Sequence, residues 1–494
     1  AFKRSTGLLS ALLVAGVLLA ETNPPDRPTT ARIQRIRSFA GDVQLDRQGR
    51  ALFDGKYLLN TGDVSDFLTR IRPDGEVDLT FSLNAHRNFP DTGVAPGIFA
   101  HAVYPDGKIL VAIGTPNVDG VLSSSEIIRL HDDGTRDKTF SAQGIFGTGN
   151  VVFALRILKD GRILAAGRMQ TSADNSSAYV VRLRPNGELD ASYLSDKRPN
   201  QVAGLAAFAL EPAGDGSFFV GKSTWRLETV AAGNDEPRLA RVAPDGTEDT
   251  AFNKRAQATV KQGVYAVRRI KDGRILVGGV ATIARLLPNG DPDRFFVTPP
   301  LKSTVPQRPF AVRVIRPLKD GKILVGGDFV TPNGAAGLAR LLADGQIDGA
   351  FDRNLGAGFR AAERDHRGVT GIVVQKDGKI LVTGSFDSVG GTAQRTLARL
   401  NPDGTLDRYP AIAEVAAAQK KYGTSKPFSS MHITGWALGK FAEAALKGCG
   451  WPCSREQLDK TIQSLKVDVG GLTGGPIEMS PGDGFGPSFW KLYV

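Results

Sequence analysis

The chain has 494 residues, enough for two or three domains with sizeable cores. Its 58 glycines and ordinary 23% of charged residues fit a turn-rich all-β protein. The net charge of +11 is spread without a basic run, which excludes a nucleic-acid groove and leaves a solvated surface suited to acidic partners or anionic head groups.

Taken in order, the chain opens with Lys3 and Arg4 followed by an apolar run from Leu8 to Ala20, the pattern of a secretory leader. Residues 1–21 are expected to stay attached as a signal anchor. From Gly7 to Ala20 a helix reaches only ~21 Å, short of the ~30 Å hydrocarbon core, so it needs flanking residues, local thinning or a partner's helices. Glu21 stands where a lipoprotein would carry its cysteine. Residues 22–38, with Pro24, Pro25 and Pro28, read as an extended polar tether.

From residue 39 to about 410 the sequence repeats at intervals of roughly 55 residues. Each unit carries an aliphatic strand, a tight turn and a second strand ending in small residues, as in Lys319 to Gly327. A second hairpin follows with an Asp-Gly or Asn-Gly turn, as in Leu338 to Phe351. Seven arginines precede seven aspartates by eight residues across that turn: Arg70 and Asp78, Arg129 and Asp137, Arg182 and Asp190, Arg241 and Asp249, Arg285 and Asp293, Arg340 and Asp348, Arg399 and Asp407. A three-residue loop with glycine in the left-handed conformation sets each arginine opposite its aspartate. Such a cross-strand pair fixes register and is worth ~0.2–1 kcal/mol. Four antiparallel strands per unit, seven times over, predict a seven-bladed β-propeller of four-stranded blades.

The Asp-Gly-Lys-Ile-Leu-Val-Gly-Gly strands and the Arg-Leu-x-Pro-Asp-Gly-x-x-Asp-x-x-Phe hairpins resemble the delta-60 repeat family over residues 39–410. The resemblance implies the propeller fold and is silent on activity. The Gln48 copy, an expanded fourth unit around Trp225 to Pro237 and a short fifth unit between Gly279 and Arg285 depart from the pattern.

Residues 411–494 turn helical and are read as a small α/β docking module. Ile412 to Tyr422 is Ala-rich, Met431 to Lys447 carries an apolar stripe, and Ser454 with Gln457 predicts a capping box for a helix to Lys466. Gly470 to Ile477 reads as a turn into a strand. The helix from Trp436 to Leu446, the Ser454 helix start and the Gly-Leu-Thr-Gly-Gly-Pro-Ile turn resemble the C-terminal part of periplasmic branched-chain amino-acid-type substrate-binding proteins. That family's ligand-gripping lobe has no counterpart here, so no binding residues are carried over.

Cys449 and Cys453 are the only cysteines; a local disulfide is expected, with free thiols or half a metal site as alternatives. His86, His101, His131, His366 and His432 are scattered singly, and Asp132-Asp133-Gly134 is read as a turn rather than a calcium loop. No catalytic residue, cofactor or metal is expected. Both tight turns of a unit lie at one end, so the long connections share the other face, where binding residues concentrate. Arg360, Arg364, Asp365, His366 and Arg367 form its most polar cluster, with Trp225 and Phe146 as contact aromatics. The expected function is a non-enzymatic scaffold or accessory subunit on the periplasmic side of the bacterial inner membrane. It would be anchored by the N-terminal helix and bound to an integral membrane protein complex of respiratory, photosynthetic or secretion type. The alternative is a secreted carbohydrate- or cell-wall-binding propeller.

Overall fold

A computed structural model of the chain describes residues 33–36, 43–54, 57–59, 64–65, 68–73, 77–88, 97–116, 122–142, 151–170, 177–193, 205–224, 237–305, 308–361, 368–394, 397–407, 430–450, 452–467 and 477–478. The expected anchor over 1–21 and the Ala-rich stretch at 412–422 lie outside them. Among the described residues no helix is long and apolar enough to cross a membrane.

The repeat region is all-β and propeller-like, built of small antiparallel sheets. Among the described residues, seven three-stranded sheets follow the repeats in chain order. Their first strands are Val43–Leu45, Gly97–Val103, Val151–Ile157, Leu205–Pro212, Val264–Arg269, Ala311–Pro317 and Val369–Val374. Each first strand packs beside the next, and Val43–Leu45 packs against both its successor and Val369–Val374, so the seven stand in a circle.

The turns form as their chemistry dictates. At Asp344-Gly345, Leu342 N donates to the Gln346 carbonyl at 2.8 Å, the Asp344 carboxylate accepts from Gln346 N at 3.0 Å, and Gly345 takes φ +94°.

The fourth strand of each unit, expected from the sequence, is reduced to a single bridging residue, such as Ile347 opposite Leu341 or Leu189 opposite Leu183. The aspartate that follows ends the strand, because its carboxylate captures a backbone N–H two or three residues on. Asp137 accepts from Thr139 N at 3.0 Å and Asp249 from Phe252 N at 2.9 Å. In three units this capture caps a helix: α1 (Leu79–His86) behind Asp78, α2 (Thr250–Gln257) behind Asp249 and α3 (Gly349–Leu355) behind Asp348. The helical turn drives an aromatic residue inward; Phe81 and Phe351 are 0% exposed, each worth ~1.5–3 kcal/mol on burial.

The cores lie between successive sheets. Leu110 and Ala112 of the second unit meet Val152, Leu155 and Ile163 of the third. At the closure, Val43 and Phe53 of the first unit meet Val373 of the last.

Two smaller sheets were not anticipated. Ile33–Ile36, inside the expected tether, pairs with Tyr57–Leu59, which pairs with Val64–Ser65. Phe359–Arg360 pairs with Ser388–Val389, which pairs with Thr392–Ala393. In the C-terminal region α4 (Ser430–Cys449) and α5 (Arg455–Ser464) pack together, and Ser454 with Gln457 forms a reciprocal capping box. Lys466–Val467 pairs with Ile477–Glu478.

Candidate functional site

Five of the seven repeated arginines, each paired with its own aspartate, also join their unit to the next. In all seven copies the aspartate N–H donates to the carbonyl of its arginine, at 2.8 or 2.9 Å. Arg182 Nε donates to Asp190 at 2.7 Å and Arg129 Nε to Asp137 at 2.8 Å, with both aspartates buried. The other arm of the guanidinium crosses to the following unit's turn. Arg129 Nη1 donates to the Pro185 carbonyl at 2.7 Å, Arg182 Nη1 to Pro244 at 2.6 Å and Arg340 Nη1 to Pro402 at 2.5 Å; Arg285 reaches Ala343. Arg70 does the same through the Asp132 carboxylate at 2.8 Å. Five of these arginines lie over their own unit's aromatic ring, 4.2–4.9 Å from the centroid.

The fourth unit departs from this scheme. Arg241 turns to Ser217 and Asp215, with Asp249 at 3.6 Å, and Arg255 of α2 supplies the link to the next turn, at Asn289, 2.8 Å. In the last unit Arg399 bridges Asp407 at 2.5 Å, and Lys379 joins at 3.0 Å.

These partners fix the charge states. For Asp190 the Ser192 hydroxyl, aided by Arg182 and opposed by burial, brings the carboxyl down to about 2. For Asp137 burial pushes up, but Thr139 and Arg129 outweigh it and hold the group far below the usual carboxylate value. Burial likewise opposes, and Arg50 and Arg70 overcome, at Asp132.

The seven first strands pack side by side around the centre of the circle. Six of the seven first strands shift register by one residue: between Ile98 and Ala100, Val152 and Ala154, Ala207 and Ala209, Val264 and Ala266, Val312 and Val314, and Val369 and Gly371. The extra residues are Phe99, Phe153, Phe208, Tyr265, Arg313 and Thr370, all half-buried. A bulge re-aims the side chain it carries. Four of the bulges face a second-strand glycine. A Cβ on Gly167, Gly279, Gly327 or Gly384 would come within 1.8–2.3 Å of the carbonyl oxygen of Val151, Gly263, Ala311 or Gly368, at or just before the start of the first strand. The first unit has Phe53 opposite Val43 and keeps its register.

The bulged residues touch in sequence. Phe99 meets Phe153 edge-on at 5.9 Å, Phe153 stacks on Phe208 at 4.4 Å and 21°, Phe208 meets Tyr265 edge-on at 5.4 Å, and Arg313 lies 4.9 Å over Tyr265. They form an aromatic crescent ending in a cation. They sit near the start of the first strand, the end that holds the second-to-third-strand connections.

Three residues further along the same strands are charged groups tied to the neighbouring strand. Arg156 donates to the Leu210 carbonyl at 2.8 Å and lies 3.3 Å from Glu211, Arg268 lies 3.7 Å from Glu211, and Arg316 donates to the Ile372 carbonyl at 2.8 Å. Among the described residues no group of three or more His, Cys, Asp or Glu could hold a metal ion.

Of the residues singled out from the sequence, Arg360 is exposed and donates to the Ala357 and Gly334 carbonyls at 3.2 and 3.0 Å. Arg364, Asp365, His366, Arg367, Trp225 and Phe146 lie outside the described residues. His101 is buried on the second unit's first strand, and Gln44 donates to its carbonyl at 2.7 Å. Cys449 and Cys453 are joined in a disulfide. The crescent itself escaped the sequence reading. Its signal is an aliphatic or small residue, an aromatic and then alanine, returning at Phe99, Phe153, Phe208 and Tyr265.

Comparison with known proteins bears on the repeats alone. The family model described as "Domain of unknown function (DUF5122) beta-propeller" matches residues 105–140, 158–193, 271–296, 318–351 and 375–408. No curated protein sequence matches the chain. Among solved structures, the chain is similar to the extracellular domain of a protein described as a one component system from B. thetaiotaomicron. That likeness has 14% identity and a TM-score of 0.40, over 64% of this chain and 33% of that one, so the chain spans about a third of that relative. It is also similar to virginiamycin B lyase from Staphylococcus aureus, with 13% identity, TM-score 0.39, 72% of this chain and 96% of that one. A third likeness is to the GH74 xyloglucanase from Xanthomonas campestris, with 14% identity, TM-score 0.44, 76% and 56%. The chain carries the repeats of a β-propeller family.

Proposed function

We propose that this chain is a non-enzymatic, extracytoplasmic scaffold: a seven-bladed propeller held at a membrane through its N-terminal stretch, which docks on a larger membrane protein complex. The α4–α5 module is read as a second docking element. The observation that carries a binding role is the central crescent. There, half-buried rings and one cation converge, while the recurring charged pairs are spent holding units together.

The carbohydrate-binding alternative requires flat aromatic faces open to a sugar. The faces of Phe153 and Phe208 cover each other at 4.4 Å, which favours a protein partner.

The test is to express the tagged full-length chain in its native host, fractionate the cells and identify what co-purifies from solubilised membranes. A stoichiometric integral membrane complex is expected. Recovery as a free monomer in the soluble extracytoplasmic fraction would sink the proposal, and retention on a glycan column would favour the alternative.

A further inference from the structure

We infer that Lys222 and Asn253 form a self-modification site: they join as an amide between Lys222 Nζ and Asn253 Cγ, with Glu248 moving the protons. The bond goes beyond the scaffold reading and needs no partner.

The site gathers what is unusual in the fourth unit. Val152, Val264, Val312 and Val369 each face a second-strand glycine, whereas Ala207 in the same place faces Lys222. Lys222 is 1% exposed; its backbone N–H donates to the Arg238 carbonyl at 2.8 Å, and its Nζ lies 4.7 Å over the Tyr179 ring of the third unit. Nζ reaches Glu248 Oε1 at 3.5 Å, and the other oxygen of that carboxylate accepts from Asn253 Nδ2 at 2.9 Å. One carboxylate therefore touches both reacting nitrogens. Asn253 is 3% exposed on α2 and is held at its other atom too, where Oδ1 accepts from Arg241 N at 2.8 Å. Phe252, Ala256 and Leu239 nearby are buried.

A buried amine, carboxylate and carboxamide in this order can react with one another. The amine is a nucleophile once the carboxylate takes its proton. The Arg241 N–H polarises the amide carbonyl and stands where negative charge would develop. The ammonium passes a proton to Glu248 Oε1, the Nζ lone pair forms a bond to Asn253 Cγ, and Oδ1 takes the negative charge. Glu248 hands its proton to Nδ2 and accepts another from Nζ, the Cγ–Nδ2 bond breaks, and the nitrogen leaves as ammonium. An ammonium and a carboxamide thus become a secondary amide and free ammonium, with no change of oxidation state. Exclusion of water keeps hydrolysis of Asn253 from competing. The reaction runs once per chain. Its product would tie the second strand to α2 in a unit whose Arg241 has turned away from Asp249 to Ser217 and Asp215.

The intact mass of the purified full-length chain, reduced and denatured, reads the bond directly. Loss of one ammonia makes the chain about 17 Da lighter than its sequence, and digestion should yield two peptides joined through Lys222 and Asn253. Lys222→Met and Glu248→Gln should both restore the full mass. A succinimide at an Asn-Gly turn sheds the same ammonia but would survive Lys222→Met, so a loss that persists in that variant overturns the inference. So does the full mass in folded wild-type chain, which would leave the three groups as an ion pair and a hydrogen bond. Joined peptides in Glu248→Gln would overturn the role given to Glu248. Thermal midpoints accompany each mass, so an unlinked variant counts only when folded. Should Lys222→Met not fold, Lys222→Arg replaces it, since it keeps the charge beside Glu248 without a nucleophilic amine. The mass is read on the chain alone, whatever it co-purifies with, so this inference and the scaffold proposal fail separately.

Discussion

Replacing Arg182 with alanine removes four interactions of one buried guanidinium. These are the bonds to Asp190 at 2.7 Å, to the Pro244 carbonyl at 2.6 Å and to Ser192 at 3.1 Å, and the stacking on Tyr193 at 4.9 Å. Asp190, 7% exposed, keeps the Ser192 hydroxyl and N–H, with Arg162 3.7 Å away. Removing one member of a buried pair costs ~3–5 kcal/mol, and the partners left to Asp190 put the expected loss near the lower end, about 3 kcal/mol. An isolated cross-strand pair would lose only ~0.2–1 kcal/mol. Arg182→Lys keeps a charge beside Asp190 but lacks the fork that reaches both units, so it should fall between wild type and alanine.

The assay is urea unfolding combined with amide hydrogen exchange. Stacked repeats need not unfold in one step, and exchange localises the loss. Faster exchange is expected in 239–249 of the fourth unit as well as in 177–193 of the third. A loss below about 1 kcal/mol, or faster exchange confined to 177–193, would refute the idea that this arginine ties two units together.

Three further outcomes are expected. The carboxyls of Asp137, Asp190, Asp293 and Asp348 lie below their unfolded value, so the stability they contribute is complete above pH ~4 and is lost as pH falls through the folded values. The thermal midpoint should therefore fall from pH ~4 towards 2, and Ser192→Ala, which removes the largest cause of the Asp190 depression, should flatten that fall; an unchanged slope argues against it. Gly327→Ala places a Cβ 2.0 Å from the Ala311 carbonyl oxygen, so it should cost ~1–3 kcal/mol in denaturant unfolding; a neutral result would show that the bulge tolerates a side chain. Phe295 is 85% exposed where other units place a hydroxyl on the aspartate, as Thr139 does on Asp137 at 2.5 Å. Phe295→Thr should therefore add ~0.5–1.5 kcal/mol through a bond to Asp293, and a lower midpoint would count against that pairing.

Much of the fold was legible because turn chemistry is local. Asp344-Gly345 needs no distant residue to close a hairpin, and opposing Arg340 and Asp348 follows from loop length. The fourth strand was misread for an equally local reason: the pattern supplied an aliphatic residue after the turn, but the aspartate behind it competes for the backbone N–H that a strand would need free. The pairing of Ile33–Ile36 with Tyr57–Leu59 was hidden because neither segment repeats.

The candidate site was less legible. Phe99, Phe153, Phe208 and Tyr265 look in sequence like ordinary strand aromatics, and alternation alone assigns them to a core. Each instead sits at a one-residue register shift, faced at Phe153 and Tyr265 by a second-strand glycine, and meets the ring of a neighbouring unit.

By itself, then, the sequence determined the repeat, the hairpins and the opposition of each arginine to its aspartate, since all depend on contacts within a few residues. Tertiary structure decided that the same arginines reach the next unit, as Arg182 reaches Pro244, and that aromatic rings some 55 residues apart meet around one centre. Those contacts exist only once whole units pack side by side, because a guanidinium or a bulged phenylalanine acquires its second partner from a neighbour that local spacing does not specify.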